Sequence, residues 1–199
     1  MKGYHERGDQ ESIDDIMIKL FGISGSLRKE SFNKSLLQAA AQVLPDGCSL
    51  ELGTINGIPL YNADVESAEG VPDAATQLKE KIAQSDGLIL ATPEYNNSIP
   101  GVFKNAIDWL SRPPQDQARV FYNHPVGLIG TTPGSFGTAF SQTAWLPTLR
   151  LLKMNIWFGE MLWVGSAMKV FDSDGNLVDE RTKKQLTKYM EGFYRFVSK

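Results

Sequence analysis

Apolar and polar positions alternate along this chain in two rhythms. Short apolar runs near 16–23, 48–53, 86–92, 125–131 and 160–165 read as strands, several with the near-continuous Val/Ile/Leu character of strands buried on both faces. Between and after them, stretches near 33–44, 72–84, 101–111, 137–153 and 179–197 carry apolar residues at helical spacing. Five strands alternating with five helices predict an α/β fold: a doubly wound, five-stranded parallel sheet with right-handed crossovers placing helices on both faces. Pro147 falls inside the fourth helical stretch and predicts a kink or break there. Val170–Leu177, with its Asp174-Gly175 turn, predicts a short surface hairpin before the last helix. Met1–Asp15 is mostly polar and charged, without the pattern of a signal or transit peptide, and predicts a flexible extension ahead of a single domain at 16–199.

In an open parallel sheet, ligands sit outside the carboxyl ends of the strands, so the loops after the first, third and fourth strands matter most. The first is Gly22-Ile23-Ser24-Gly25-Ser26-Leu27-Arg28-Lys29-Glu30-Ser31-Phe32-Asn33, a glycine- and hydroxyl-rich turn that opens a helix. Free N–H groups and the positive end of the macrodipole suit a phosphate there, with Ser26, Ser31 and Asn33 as donors and Arg28 adding charge. The same residues are ordinary turn formers, and Ser31 or Asn33 would also serve as a helix cap. The loop is neither G-x-G-x-x-G nor G-x-x-x-x-G-K-[ST], which leaves a mononucleotide cup rather than a dinucleotide or triphosphate site. After the third strand, Thr92-Pro93-Glu94-Tyr95-Asn96-Asn97-Ser98-Ile99-Pro100-Gly101 is polar between two prolines. After the fourth, Gly130-Thr131-Thr132-Pro133-Gly134-Ser135-Phe136-Gly137 lets backbone approach a flat ligand closely. Either loop alone reads equally as a packing turn or a spacer. Three such loops on one edge point to a phosphate-bearing planar cofactor, flavin mononucleotide.

Composition narrows the chemistry. A chain of 199 residues, 42% hydrophobic, is long enough to bury roughly 70% of its unfolded surface without a covalent staple. A net charge of -3 gives no electrostatic footprint for nucleic acid. The single cysteine, Cys48, excludes an internal disulfide, a thiolate zinc centre or an iron–sulfur cluster, and reads as a small filler beside a strand. With only His5 and His124, a histidine metal site or a Ser–His–Asp set has little to draw on. No apolar run is long enough to span a membrane, and a cytoplasmic location is expected.

These motifs resemble the NADPH-dependent FMN reductase family of flavodoxin-like proteins, in particular its chromate/quinone reductase and azoreductase-like branch. The resemblance rests on GISGSLRKESFN at 22–33, TPEYNNSIPGVFKNAIDWLSRP at 92–113 and the looser GTTPGSFGTA at 130–139, and runs from about Ile16 to the last helix. It implies an FMN phosphate held by Ser26, Arg28, Ser31 and Asn33, with Leu27 and Phe32 among the cofactor-binding positions of that loop. It further implies a ring edge contacted by Pro93, Glu94, Tyr95 and Asn96 and bordered by Thr131, Thr132 and Gly134. Two departures stand out: Asn97 occupies a place that is often aromatic, altering the substrate wall, and Gln142-Thr143-Ala144-Trp145-Leu146-Pro147 replaces a run that supports a tetramer in some members.

What the resemblance implies is hydride transfer from NADPH or NADH through bound FMN to quinone, azo, nitroaromatic or chromate-type acceptors, with no catalytic side chain and no metal. A flavodoxin-like electron carrier would show a more strongly acidic face, and a non-catalytic FMN-binding redox regulator would use the same cup. A homodimer is expected, with a tetramer as the alternative; Trp145 and Trp157 are the interface candidates, while Trp163 is expected in the core.

Overall fold

The computed structural model describes residues 17–199, so the extension assigned to 1–15 and Ile16 lie outside the described residues. The strands are β1 (Ile18–Ser24), β2 (Cys48–Thr54), β3 (Gly87–Ala91), β4 (Pro125–Thr131), β5 (Asn155–Ile156) and β6 (Leu162–Val164). The helices are α1 (Phe32–Ala41), α2 (Ala63–Glu69), α3 (Asp73–Ala83), α4 (Gly101–Leu110), α5 (Gln117–Phe121), α6 (Ala139–Leu151), α7 (Ala167–Val170) and α8 (Glu180–Val197). The sheet order is β2-β1-β3-β4-β5 with β6 also on β4, and every pairing is parallel.

The fifth position of the sheet is filled in two pieces where one strand is predicted. β5 pairs with the start of β4, Pro125–Val126, and β6 with its end, Ile129–Thr131. Residues 157–161 bulge out between them, although Trp157 N still donates to Val126 O at 2.9 Å.

Strand alternation builds the two cores. Phe21, Ile23, Leu88, Leu90, Val126 and Leu128 face α3, α4, α5 and α6, whereas Leu20, Ile89, Ala91, Ile129, Leu162 and Val164 face α1, α7 and α8. Both faces being buried explains why the central strands read as almost unbroken apolar runs. Leu36, Leu37 and Ala40 turn one stripe of α1 to the sheet, and Leu186, Tyr189, Met190 and Phe193 do the same for α8.

Several expectations change. α2, α5 and α7 are not predicted, because each is too short or too polar to show a period. α2 buries none of its residues and is held by the Asn62 cap, which accepts from Asp64 N at 2.9 Å, and by Glu66, which pairs with Arg112 at 2.8 Å. Pro147 does not break α6, which runs helical to Leu151 around it. The helix forgoes only the hydrogen bond that an N–H at 147 would have made. The tryptophans also exchange roles. Trp145 is 0% exposed and packs edge-on to Phe103 at 5.0 Å, whereas Trp163, on the edge piece β6, is 46% exposed. Trp157 is half-buried against Tyr189 and Phe193. The predicted hairpin is present as a Phe171–Leu177 bridge closed by the Asp172 carboxylate, which accepts from Asp174 N and Asn176 N. No helix of the described residues is long and apolar enough to cross a membrane.

His124 lies just before β4, at the amino-terminal edge of the sheet, with Nε2 3.3 Å from Ser85 Oγ. Burial pushes its imidazole below the usual value of 6.5, and Asp86 opposes this only in part. The folded protein therefore binds this proton less readily than the unfolded chain, and stability falls as pH drops below about 6.5. The carboxylates that ion pairs and caps hold low, Glu66, Glu80, Asp116, Asp172 and Asp179, lose their contribution only in more acid solution. The midpoint of thermal unfolding is expected to decline between pH 7.5 and 5.5, and His124→Gln to flatten that decline; an unchanged slope in the variant would contradict the assignment.

Candidate functional site

Because all strands run the same way, Ser24, Ala91 and Thr131 end at one edge, and the loops that follow them meet there. The ladder continues one step into each loop: Gly25 N donates to Ala91 O at 2.9 Å, Thr92 N to Ile129 O at 2.9 Å and Thr132 N to Val164 O at 3.0 Å. A cleft of about 120 Å³ opens between the loops. From the first loop it is lined by Ser26, Arg28, Ser31, Phe32 and Asn33, from the second by Pro93, Glu94 and Tyr95, and from the third by Thr131, Thr132 and Pro133.

Ten of the thirteen residues expected at the cofactor are thus brought together. Leu27 stands outside the lining and is exposed. Gly134 is also outside it, its carbonyl accepting from Ser166 N at 2.8 Å. Asn96 sits at the tip of the second loop. There Tyr95 and Ser98 exchange two 3.1 Å backbone bonds, and Asn96 and Asn97 have φ of 51° and 58°. Two central residues with positive φ make the mirror-image turn suited to a tight hairpin, which asparagine tolerates better than most side chains. Asn97 therefore has a backbone role besides any effect on the substrate wall.

Hydrogen bonding separates the loop's donors into two groups. Asn33 is committed to the protein: its amide Nδ2 donates to Thr131 O at 2.9 Å and its Oδ1 accepts from Thr131 N at 3.0 Å. This double bond latches the first turn of α1 to the end of β4, two strands away from β1. Ser26 Oγ accepts from Arg28 N at 3.3 Å and shapes the turn. Ser31 occupies the N-cap position of α1 yet makes no capping bond, although the residue is only 5% exposed. A capping side chain contributes about 1 kcal/mol, so α1 forgoes that stabilisation and leaves its first turn, which borders the cleft, without a side-chain cap. No acidic side chain in the first turn offsets the positive end of the helix.

A second unmet hydroxyl lies beside it. Thr131 is 2% exposed and its Oγ1 has no hydrogen-bond partner; Ser24 Oγ, on the same face of the sheet, is in the same condition. An unsatisfied buried hydroxyl costs roughly 1–3 kcal/mol, a cost that a bound acceptor or donor removes. Open helix N–H groups, free hydroxyls and the Arg28 cation are the donor set that a phosphate monoester requires, so the residues present fit the phosphate end of FMN.

The second loop is braced from below by contacts in which Ser141 was not singled out from the sequence and Glu94 and Trp145 were assigned other roles. Glu94 accepts from Ser141 N at 3.0 Å, tying the second loop to the start of α6. Thr92 Oγ1 is 2.8 Å from Ser141 Oγ and accepts from Trp145 Nε1 at 3.0 Å. Trp145 is therefore a buried support of the loop. Gly130 allows this close packing, since a Cβ there would stand 2.1 Å from Thr138 Oγ1 and 2.4 Å from Thr92 O. Nothing in the sequence pairs these positions, which lie about fifty residues apart.

Among the described residues, no cysteine or histidine lines the cleft. Cys48 begins β2 at the opposite edge, and burial, with a smaller effect of Asp86, pushes its thiol up to about 11. It remains a thiol at neutral pH, as the reading of a small filler requires. No cluster of metal-ligating side chains is found among the described residues.

Comparison with known proteins agrees with this geometry. The family model for NADPH-dependent FMN reductases matches residues 18–169. An NAD(P)H-dependent FMN reductase of Pseudomonas aeruginosa is 42% identical over 180 residues, covering 90% of this chain and 95% of that protein. A 2-hydroxy-1,4-benzoquinone reductase of a Burkholderia species is 37% identical over 180 residues, covering 90% of this chain and 96% of the relative. Among solved structures, the flavoenzyme NAD(P)H:acceptor oxidoreductase FerB of Paracoccus denitrificans superposes with a TM-score of 0.80 at 30% identity, covering 91% of this chain and 97% of the other. With its 2-1-3-4-5 parallel sheet and its three loops on one edge, the chain belongs to the NADPH-dependent FMN reductase family and is an NAD(P)H-dependent oxidoreductase on a flavodoxin-like fold.

Proposed function

We propose that residues 16–199 form one unit that holds FMN in this cleft and turns over NADPH or NADH against quinone-type acceptors. The observation that carries the proposal is the partnerless Thr131 hydroxyl beside the uncapped N-terminus of α1, in a cleft walled by all three loops. Bound FMN supplies the hydride and electron transfer, so no side chain has to act as acid, base or nucleophile.

The chain's own residues bind and orient. Arg28, Ser26 and Ser31, with the first N–H groups of α1, take the phosphate. Asn33 acts through its bracket on Thr131, which fixes the distance between the phosphate end and the third loop. Phe32 shapes the cup, its ring stacked on Phe171 at 5.8 Å, while Leu27 stays at the exposed rim outside the lining. Pro93, Glu94 and Tyr95 form the wall at the ring edge, with Asn96 at the rim of the turn. Thr132 and Pro133 border the opposite side, with Gly134 just beyond the lining. Tyr95 is exposed, in keeping with a cleft that stays open to donor and acceptor in turn. Acceptors of the quinone class are favoured because relatives sharing 35–37% of residues over most of the chain are named as reductases of quinones. An electron carrier that docks through a strongly acidic face is disfavoured by a net charge of -3.

Two substitutions test the cup. Thr131→Val removes the unmet hydroxyl, so the flavin-free protein is expected to keep or gain up to about 1 kcal/mol of stability while its affinity for FMN falls. Arg28→Ala is expected to weaken FMN by about 1–2 kcal/mol, the low end for a charge-assisted contact because Arg28 is exposed. Fluorescence titration of FMN with each variant reads the effect, and curves equal to the wild type would move the phosphate elsewhere.

Turnover tests the shared open face. Initial rates with NADPH and a benzoquinone are expected to give parallel double-reciprocal lines, the pattern of ping-pong exchange through one site. Intersecting lines would show donor and acceptor bound together and contradict the model.

A further inference from the structure

Among the described residues, two charged side chains line the cleft, Arg28 on the first loop and Glu94 on the second, and neither forms an ion pair. The cation suits a phosphate, but the carboxylate works against one, because like charges in a shared cleft repel. An acid that lowers the affinity of an anion site calls for a second role.

Glu94 is held in place by the first turn of α6. Its Oε2 accepts from Ser141 N at 3.0 Å, one of the N–H groups left open at the start of that helix. The N-cap residue Thr138 makes no capping bond of its own, since its Oγ1 accepts from Gln142 Nε2 at 3.0 Å. Ser141 Oγ lies 2.8 Å from Thr92 Oγ1, which accepts from Trp145 Nε1 at 3.0 Å and donates to Pro93 O at 2.9 Å. Thr92, Ser141 and Trp145 are all 0% exposed, so the backbone at 92–94 and the carboxylate are fixed to one buried unit. The bond to Ser141 uses Oε2 alone, and Oε1 has no hydrogen-bond partner among the described residues. A neutral amide oxygen would accept from Ser141 N as well as a carboxylate does, so the brace by itself does not require the charge.

We propose that the charge of Glu94 sets the reduction potential of the bound flavin, an inference that rests on the reading of the cleft as an FMN site with the ring edge against the second loop. Hydride transfer from NADPH leaves NADP+ and adds one negative charge to the ring, and passing the hydride to a quinone removes that charge. A carboxylate fixed at the ring edge disfavours the more negative form. The cleft therefore holds reduced FMN less tightly, relative to oxidised FMN, than an uncharged wall would, which drives the hydride on to the acceptor. The Ser141 N–H and the positive end of α6 stabilise the carboxylate where it stands, and the brace keeps it from turning away as the ring becomes charged. Arg28 does not cancel the effect, because it meets the phosphate end, whose charge is the same before and after transfer.

The midpoint potential of the bound flavin, read by equilibrating the holoprotein with a reference dye, tests this without turnover. Glu94→Gln keeps the size of the side chain and an oxygen for Ser141 N but removes the charge. It is expected to raise the affinity for reduced over oxidised FMN about tenfold, an upward shift of about 30 mV for a two-electron couple. Glu94→Asp keeps the charge but is one methylene shorter, which takes its oxygens out of reach of Ser141 N, and its potential is expected to stay nearer the wild type than that of the Gln variant. A purely structural brace predicts the reverse order, with Gln like the wild type and Asp displaced. Should Glu94→Gln fail to fold, judged by circular dichroism, Glu94→Ala carries the same prediction. A Gln variant that binds FMN at the wild-type potential, or the reverse order of the two variants, would overturn the proposal and leave the FMN site standing. A wild type that takes up no FMN would overturn both.

Discussion

The position of β1 between β2 and β3 is the constraint on which the rest depends. Leaving β1, the chain crosses over one face of the sheet through α1 to reach β2, then returns over the other face through α3 to reach β3. Right-handed crossovers allow no other arrangement of those helices, and the reversal parts the loops after β1 and β3 into a crevice. The Asn33 amide spans that crevice and pins α1 to the backbone of Thr131. A single side chain thus fixes the separation of two loops that lie 98 residues apart in sequence.

Around that latch the protein is built against its own stability. Ser31 does not cap its helix, Thr131 and Ser24 bury hydroxyls without partners, and Asn96 and Asn97 take a left-handed turn. Each is a cost of about one to a few kcal/mol, and all cluster at the carboxyl edge of the sheet. The opposite edge carries Cys48 and His124, both shifted by burial toward their neutral forms. Cys48 and His124 are kept away from the cleft, while Thr131 and the uncapped start of α1 bring unsatisfied donors to it. That division suits a site whose bound group does the chemistry and whose protein supplies a fixed polar socket.

Much of this was legible in the sequence, for physical reasons that can be named. Strands buried on both faces have no solvent side to interrupt them, so β1, β3 and β4 declare themselves as apolar runs. The long helices show because each turns one stripe to the sheet. The first loop shows because a strand, a hydroxyl-rich turn and a helix follow one another without a gap. The rest was hidden by distance or by environment. Whether Asn33 binds a ligand or braces the fold is decided by Thr131, and Trp145 is buried because Thr92 and Phe103 receive it. Trp163 is exposed because β6 is an edge piece of an interrupted strand, and an apolar run of three residues carries no sign of which face is covered. Short polar α2 persists on a cap and on its ion pair with Arg112, contacts that no periodicity encodes.

On the proposed function, the donors gathered at the N-terminus of α1 hold a flavin mononucleotide. The visible absorption spectrum of the purified protein, recorded before and after denaturation, tests it most directly. Flavin bands at about 370 and 450 nm are expected, the chemistry of a carried cofactor rather than of a side chain, with about one FMN released per chain on denaturation. A colourless protein that also leaves the spectrum of added FMN unchanged would contradict it.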